Sequence, residues 1–439
     1  MSTPERPSGL AKQQSRAKAD ELRKARSYEQ AAAEYANVWP DGDKWTGWGY
    51  ALSLRKAGRP KEALAVARDV LKIDLEFRPA RSVYAWVLYD LYIRGATSAD
   101  EGVLKAANAI VKFTAAEQQY EATSAFVITV LHIAKLWAKN GRNARALEWL
   151  GKLDVNRLRI EPGKGVDDKG RQKEIASNKE QYYSLLTHAL ERLERWEECI
   201  EACSRGNSEC GTLHHDNDIW FSRRVAIAKQ KLGQPKEALT ALQVLAERKQ
   251  AGFIHTDIAF AAWDAGEHEL TFKHSLQALL GPQDIGFKLG AVRLLGQVLW
   301  ERGDHEGAKK HLRLCIGVRH AKGWNASDEL TTLAKTWGLA DEQTDTEPLF
   351  RELLKQWRRW ADELTPKVAG SVTKVLANGH AGFIRGDDGV DYYFDSRGWK
   401  SRNPPTERSR VSFATAPGFD RKKHRSTTIA VEVRPIVHT

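Results

Sequence analysis

The chain has 439 residues, 42% of them apolar and 28% charged, with a formal charge of +11. That length allows two or three domains with a substantial core, and the composition excludes a disordered or collagen-like polymer. Four cysteines and no run of 18 apolar residues exclude a disulfide framework and a membrane-spanning helix as expectations, so a reducing, cytoplasmic setting is expected, with no membrane partner.

Residues 1–9 are polar and proline-containing, and are expected to be a disordered lead-in with no signal-peptide character. Residues 10–340 repeat one pattern: an amphipathic helix, a turn at a glycine, and a second helix. The plainest copies turn at Gly58, Gly141, Gly233 and Gly303. A small residue stands seven positions earlier (Ala51, Ala134, Ala226, Gly296) and an alanine five later (Ala63, Ala146, Ala238, Ala308). Small residues let two helices approach closely, and the glycine supplies the left-handed conformation that ends the first one. Pro60 and Pro235 suit the first turn of a helix. A single such pair cannot bury its apolar face, so neighbours must stack. Weaker copies end at Ala31, Cys199 and Leu270.

These positions resemble the tetratricopeptide repeat family. The resemblance implies an α-solenoid of helix pairs, about seven or eight here, whose groove holds a protein partner. The spacing between copies is irregular. One insertion, about 161–178, is rich in Pro, Gly and charge and reads as a flexible loop. Its Gly-Lys-Gly lacks the phosphate-loop spacing. The tryptophans fall mostly in the helices and are expected in the core.

Cys199, Cys203, Cys210 and His214 are the residues a zinc ion would use. The competing reading is core packing: Cys199 and Cys203 are four apart on one helix, at positions that hold small buried residues. No nucleophile elbow, zinc-protease, kinase or dinucleotide signature occurs, so neither an enzyme nor a cofactor is expected.

Residues 341–365 are an acidic linker and a bridging helix. Leu349, Phe350, Leu353, Leu354, Trp357 and Trp360 recur there at helical spacing, and Arg351, Lys355, Arg358 and Arg359 occupy the other side. From Pro366 to the end, 13 Lys and Arg face 7 Asp and Glu, so this last segment holds over half of the net charge.

In residues 366–439, Gly370, Val372, Gly382-Phe-Ile384, the Asp387-Asp-Gly389 turn, Asp391, Val411-Ser-Phe413 and Val433 resemble a cold-shock domain. The resemblance implies a five-stranded OB-type β-barrel whose outward aromatics stack on unpaired bases. Strand alternation agrees: if Gly382 and Ile384 face inward, Ala381 and Phe383 face outward, and with Tyr392 and Phe394 in the core, Tyr393 and Asp395 reach the surface. Phe383 and Tyr393 fall where the family has stacking phenylalanines. Lys374, Ala381 and Asp395-Ser396 replace aromatic or histidine positions. Lys374, His380 and Arg385 are expected to flank Phe383, and Arg421, Lys422, Lys423 and Arg425 to offer phosphate contacts.

The expected protein is therefore mostly α, a helical-repeat scaffold with a small C-terminal barrel. It is a non-enzymatic adaptor that couples a protein partner to single-stranded RNA or DNA bound weakly and with little sequence preference. The alternative is a pure protein-interaction scaffold, for example within a multi-protein bacterial or phage-defence complex, whose barrel binds no nucleic acid.

Overall fold

The computed structural model describes residues 9–39, 41–114, 124–249, 251–325, 327–339, 345–377, 379–401, 403–420 and 425–436. Residues 1–249 form one compact unit and residues 250–439 a second.

In the first unit the helices pair in chain order: α1 (Gly9–Lys24) with α2 (Tyr28–Ala36), α3 (Lys44–Lys56) with α4 (Pro60–Ile73), and α5 (Arg78–Leu88) with α6 (Glu101–Thr114). They are followed by α7 (Ala125–Lys139) with α8 (Asn143–Leu150), α9 (Asn178–Arg192) with α10 (Trp196–Glu209), and α11 (Asn217–Lys231) with α12 (Pro235–Arg248). The insertion before α9 contains an antiparallel hairpin, β1 (Gly163–Val166) and β2 (Gln172–Ile175), an element its composition did not announce.

The turn chemistry is as the spacing predicts. Gly58, Gly141, Gly233, Gly266 and Gly303 have φ between +73° and +85°. The residue after each closes the helix end, as where Arg59 N donates to the Leu54 carbonyl at 2.9 Å. The small residues seven before the turn and the anchors five after it are buried, Ala51, Ala134, Ala63 and Ala146 among them. In the weaker copies Arg26 and Glu194 take the glycine's place at φ +64° and +55°.

The second unit begins with α13 (Gly252–Asp264) and α14 (His268–Leu279), then α15 (Leu289–Glu301) and α16 (His305–Ala321), α17 (Asp328–Thr336) and α18 (Thr346–Leu364). The bridging helix α18 buries Leu353 and Trp357 in the core built by α14, α15 and α16. A polar lock sits inside that core. Fully buried His311 donates from Nδ1 to the Gly307 carbonyl (2.7 Å), and its Nε2 accepts from the Trp357 indole N–H (2.8 Å). Burial pushes the His311 imidazole down to about 4. Of the tryptophans, Trp149, Trp337 and Trp357 are buried, whereas Trp45 and Trp324 are exposed. Trp48, Trp86, Trp137, Trp263 and Trp300 pack half-buried against the cores, since so large a ring is rarely enclosed on every side.

After α18 come β3 (Val368–Val375), β4 (Gly382–Gly386), β5 (Asp391–Phe394), β6 (Arg410–Asp420) and β7 (Arg425–Pro435). They close into a barrel in the order β3-β4-β5-β7-β6, with β3 antiparallel to β6 and β5 parallel to β7. Its core holds Val372, Ile384, Tyr392, Phe394, Val411, Phe413, Ala430 and Val433. Gly382 lies against the bulged part of β3, where a Cβ would stand 2.1 Å from the Lys374 carbonyl oxygen. Asp362 on α18 anchors the barrel through Arg434 Nη1 and Lys367 Nζ, each at 3.0 Å.

Candidate nucleic-acid interface on the barrel

Strand pairing builds this surface. In the β4–β5 ladder Phe383 stands opposite Tyr393, and in the β3–β4 ladder Lys374 stands opposite Phe383. Alternation turns all three outward while Ile384, Tyr392 and Phe394 fill the core. Phe383 and Tyr393 are 38% and 37% exposed, with ring centroids 5.6 Å apart at 62°. Lys374 is exposed and enters no ion pair among the described residues. Two ring faces beside an unneutralised ammonium can stack on flat ligands and attract an anion.

Other expected members are placed differently. Arg385 is on the same face of β4, but its Nε meets Asp391 at 2.8 Å and its Nη1 donates to the Gly389 carbonyl at 2.7 Å. Its charge is therefore partly engaged. His380 is exposed in the turn before β4. Arg421, Lys422 and Lys423 lie outside the described residues. Arg425 opens β7, and its side chain is likewise outside them.

One expectation is corrected. Ala381 is 3% exposed and does not face outward. It precedes β4, where its carbonyl accepts from Leu376 N at 2.8 Å, so strand alternation does not extend to it.

Asp395 reaches the surface as a turn-former. It accepts from the backbone N–H of Arg397 and Gly398, both at 3.0 Å. The Arg397 guanidinium at 2.8 Å holds its carboxyl below the ordinary range. Its negative charge is thus largely matched locally. Sequence reasoning missed Arg410, which grips Asp387 with two bonds of 2.7 and 2.8 Å and holds that carboxyl low as well. Its only advance signal was its charge, because the pairing joins residues 23 apart.

In the helical part, Cys199, Cys203 and Cys210 are enclosed with Tyr183, Leu190 and Phe221. Contact with Cys199 and burial push the Cys203 thiol up, and burial pushes Cys210 up to about 11. His214 is turned to other partners: Nδ1 lies 2.8 Å from Glu180 Oε2 and Nε2 3.3 Å from Glu174 Oε2. Glu180 raises its pKa. Among the described residues no three His, Cys, Asp or Glu side chains are gathered as a metal would require. No described helix is long and apolar enough to cross a membrane.

A tetratricopeptide-repeat family profile matches residues 44–69, the α3–α4 pair. A second profile, described as a domain of unknown function (DUF7017), matches residues 219–358. No curated protein matches. Among solved structures, the human IFIT1 dimer with PPP-AAAA is 12% identical, with TM-score 0.37 over 74% of this chain and 73% of that one. YrrB, a TPR protein with an unusual peptide-binding site, is 16% identical, with TM-score 0.32 over 48% and 92%. The TPR2AB domain of yeast Sti1 in complex with pHSP90 is 13% identical, with TM-score 0.25 over 75% and 100%. The helix pairs, their turns and the repeat match define the class: a tetratricopeptide-type helical scaffold followed by a closed five-stranded barrel.

Proposed function

We propose that the barrel is a cold-shock-like, OB-type module that holds single-stranded RNA or DNA weakly and with little sequence preference, while the helical repeats hold a protein partner. The protein then acts as a non-enzymatic adaptor between the two. One observation carries the nucleic-acid half: Phe383 and Tyr393 stand side by side, ring-exposed, on adjacent strands, with Lys374 in register beside Phe383. In OB-type barrels the second and third strands form the binding face, and the reading is supported by β4 and β5 being the second and third strands of this barrel. Two rings with few free cations fit weak, sequence-tolerant binding, since every base offers a flat face. The protein-partner half is supported by the repeat architecture alone.

A second reading has its own observation. With Ala381 buried, only Phe383 and Tyr393 remain of the stacking positions considered, a set small enough for a barrel that contacts protein instead. Fluorescence anisotropy of labelled single-stranded RNA and DNA separates the two readings. Nucleic-acid binding predicts that Phe383→Ala/Tyr393→Ala weakens binding roughly 30-fold or more, each stacked base being worth ~1–3 kcal/mol. Unchanged affinity in that variant would retire the stacking face.

A further inference from the structure

Away from the barrel, the second unit displays a second set of rings beside cations. Phe287 is 82% exposed and stands on the short turn Ile285–Lys288 between α14 and α15. The turn is firmly held. Asp284 accepts from Gly286 N at 2.9 Å and meets Lys322 Nζ at 3.0 Å. Buried Lys288 donates to the Leu279 and Gly281 carbonyls at 2.9 and 2.6 Å, closing the end of α14. The next connection, from α16 to α17, carries Trp324, 43% exposed. Arg319 and Lys322 lie 6.0 and 5.5 Å from its ring. Arg319 also donates to the Asn325 carbonyl at 2.7 Å and has no acidic partner among the described residues.

Lys322 reaches both connections, its Nζ meeting Asp284 and lying over the Trp324 ring, so the turn that carries Phe287 and the connection that carries Trp324 are neighbours. Asp284 matches Lys322, and Arg319 is left as a cation without an acidic partner among the described residues. Core packing does not explain the Phe287 ring, because it leaves most of its surface in water on a turn fixed by other groups.

We propose that this patch is a second contact for the single-stranded nucleic acid held by the barrel, an inference that rests on the barrel reading. Phe287 and Trp324 stack bases, and Arg319 attracts an adjoining phosphate, while Lys322, paired with Asp284, lies over the Trp324 ring. A polymer whose flat bases each sit beside a charged phosphate matches rings set beside cations.

The test is anisotropy with labelled oligouridylates of about 8 and about 30 nucleotides, the first within the site size of one OB barrel. Phe287→Ala/Trp324→Ala alters exposed rings and should leave thermal unfolding unchanged. It is expected to weaken the long strand roughly five-fold or more and to spare the short one. Arg319→Gln, which keeps a donor for Asn325, should reduce the salt dependence of long-strand binding only. Equal long-strand affinity in wild type and the Phe287/Trp324 variant would overturn the inference, and that is also the result expected if the patch serves a protein. The barrel reading fails separately: Phe383→Ala/Tyr393→Ala would then change neither length. Wild-type protein that binds neither strand would end both.

Discussion

Acidification should loosen the second unit through one histidine. His311 is fully buried with its tautomer fixed, since Nδ1 donates to the Gly307 carbonyl and Nε2 accepts from Trp357. A second proton would turn Nε2 into a donor facing the indole N–H and place an unpaired charge in an apolar core. The imidazole pKa is therefore depressed from 6.5 to about 4. The sign follows from linkage. Above 6.5 neither folded nor unfolded chain holds the proton, and stability is complete. Below it the unfolded chain binds a proton that the folded one refuses, so stability falls until the pH reaches about 4. The loss approaches about 3 kcal/mol.

The assay is urea unfolding of wild type and His311→Leu between about pH 7 and pH 4. The variant leaves the Trp357 N–H unpaired, so wild type should lead by about 1–3 kcal/mol at neutral pH. That lead should shrink by about 3 kcal/mol on acidification, because only wild type carries the proton-linked term. His274, also pushed down to about 4 by burial, contributes equally to both proteins and cancels in the difference. A lead that stays constant across the range would refute the argument.

Three further outcomes are expected. Glu194→Gly should raise stability by about 0.5–1 kcal/mol in thermal unfolding, because Glu194 holds a left-handed turn (φ +55°) where its counterparts use glycine. Gly49→Ala should lower it by about 1–3 kcal/mol, since the new Cβ would lie 2.5 Å from the ring of buried Tyr35. Tyr35 has little room to yield, its hydroxyl being bonded to Asp20 and Arg23. If the barrel binds single strands, Lys374→Ala should reduce the slope of log affinity against log salt by roughly 0.7, and Arg385→Ala by less, because Asp391 already holds that guanidinium. Equal slopes for the two variants would contradict the placement of free charge.

What was legible in the sequence was local and periodic. The spacing of Ala51, Gly58 and Ala63 states a helix, a left-handed turn and a close-packed second helix, because each depends on neighbours in the chain. The alternation of Gly382–Ile384 and Tyr392–Phe394 likewise determined which rings point outward, since a strand's side chains reverse at every residue. The same rule misplaced Ala381, because alternation holds only within a strand and β4 begins one residue later. Three facts only the tertiary structure decided: the pairing of Arg410 with Asp387, the lock between His311 and Trp357, and the meeting of Lys322 with Asp284. Each depends on which distant groups meet. A charge is free or spent, and an imidazole neutral or ionised, according to what folding brings within about 3 Å of it.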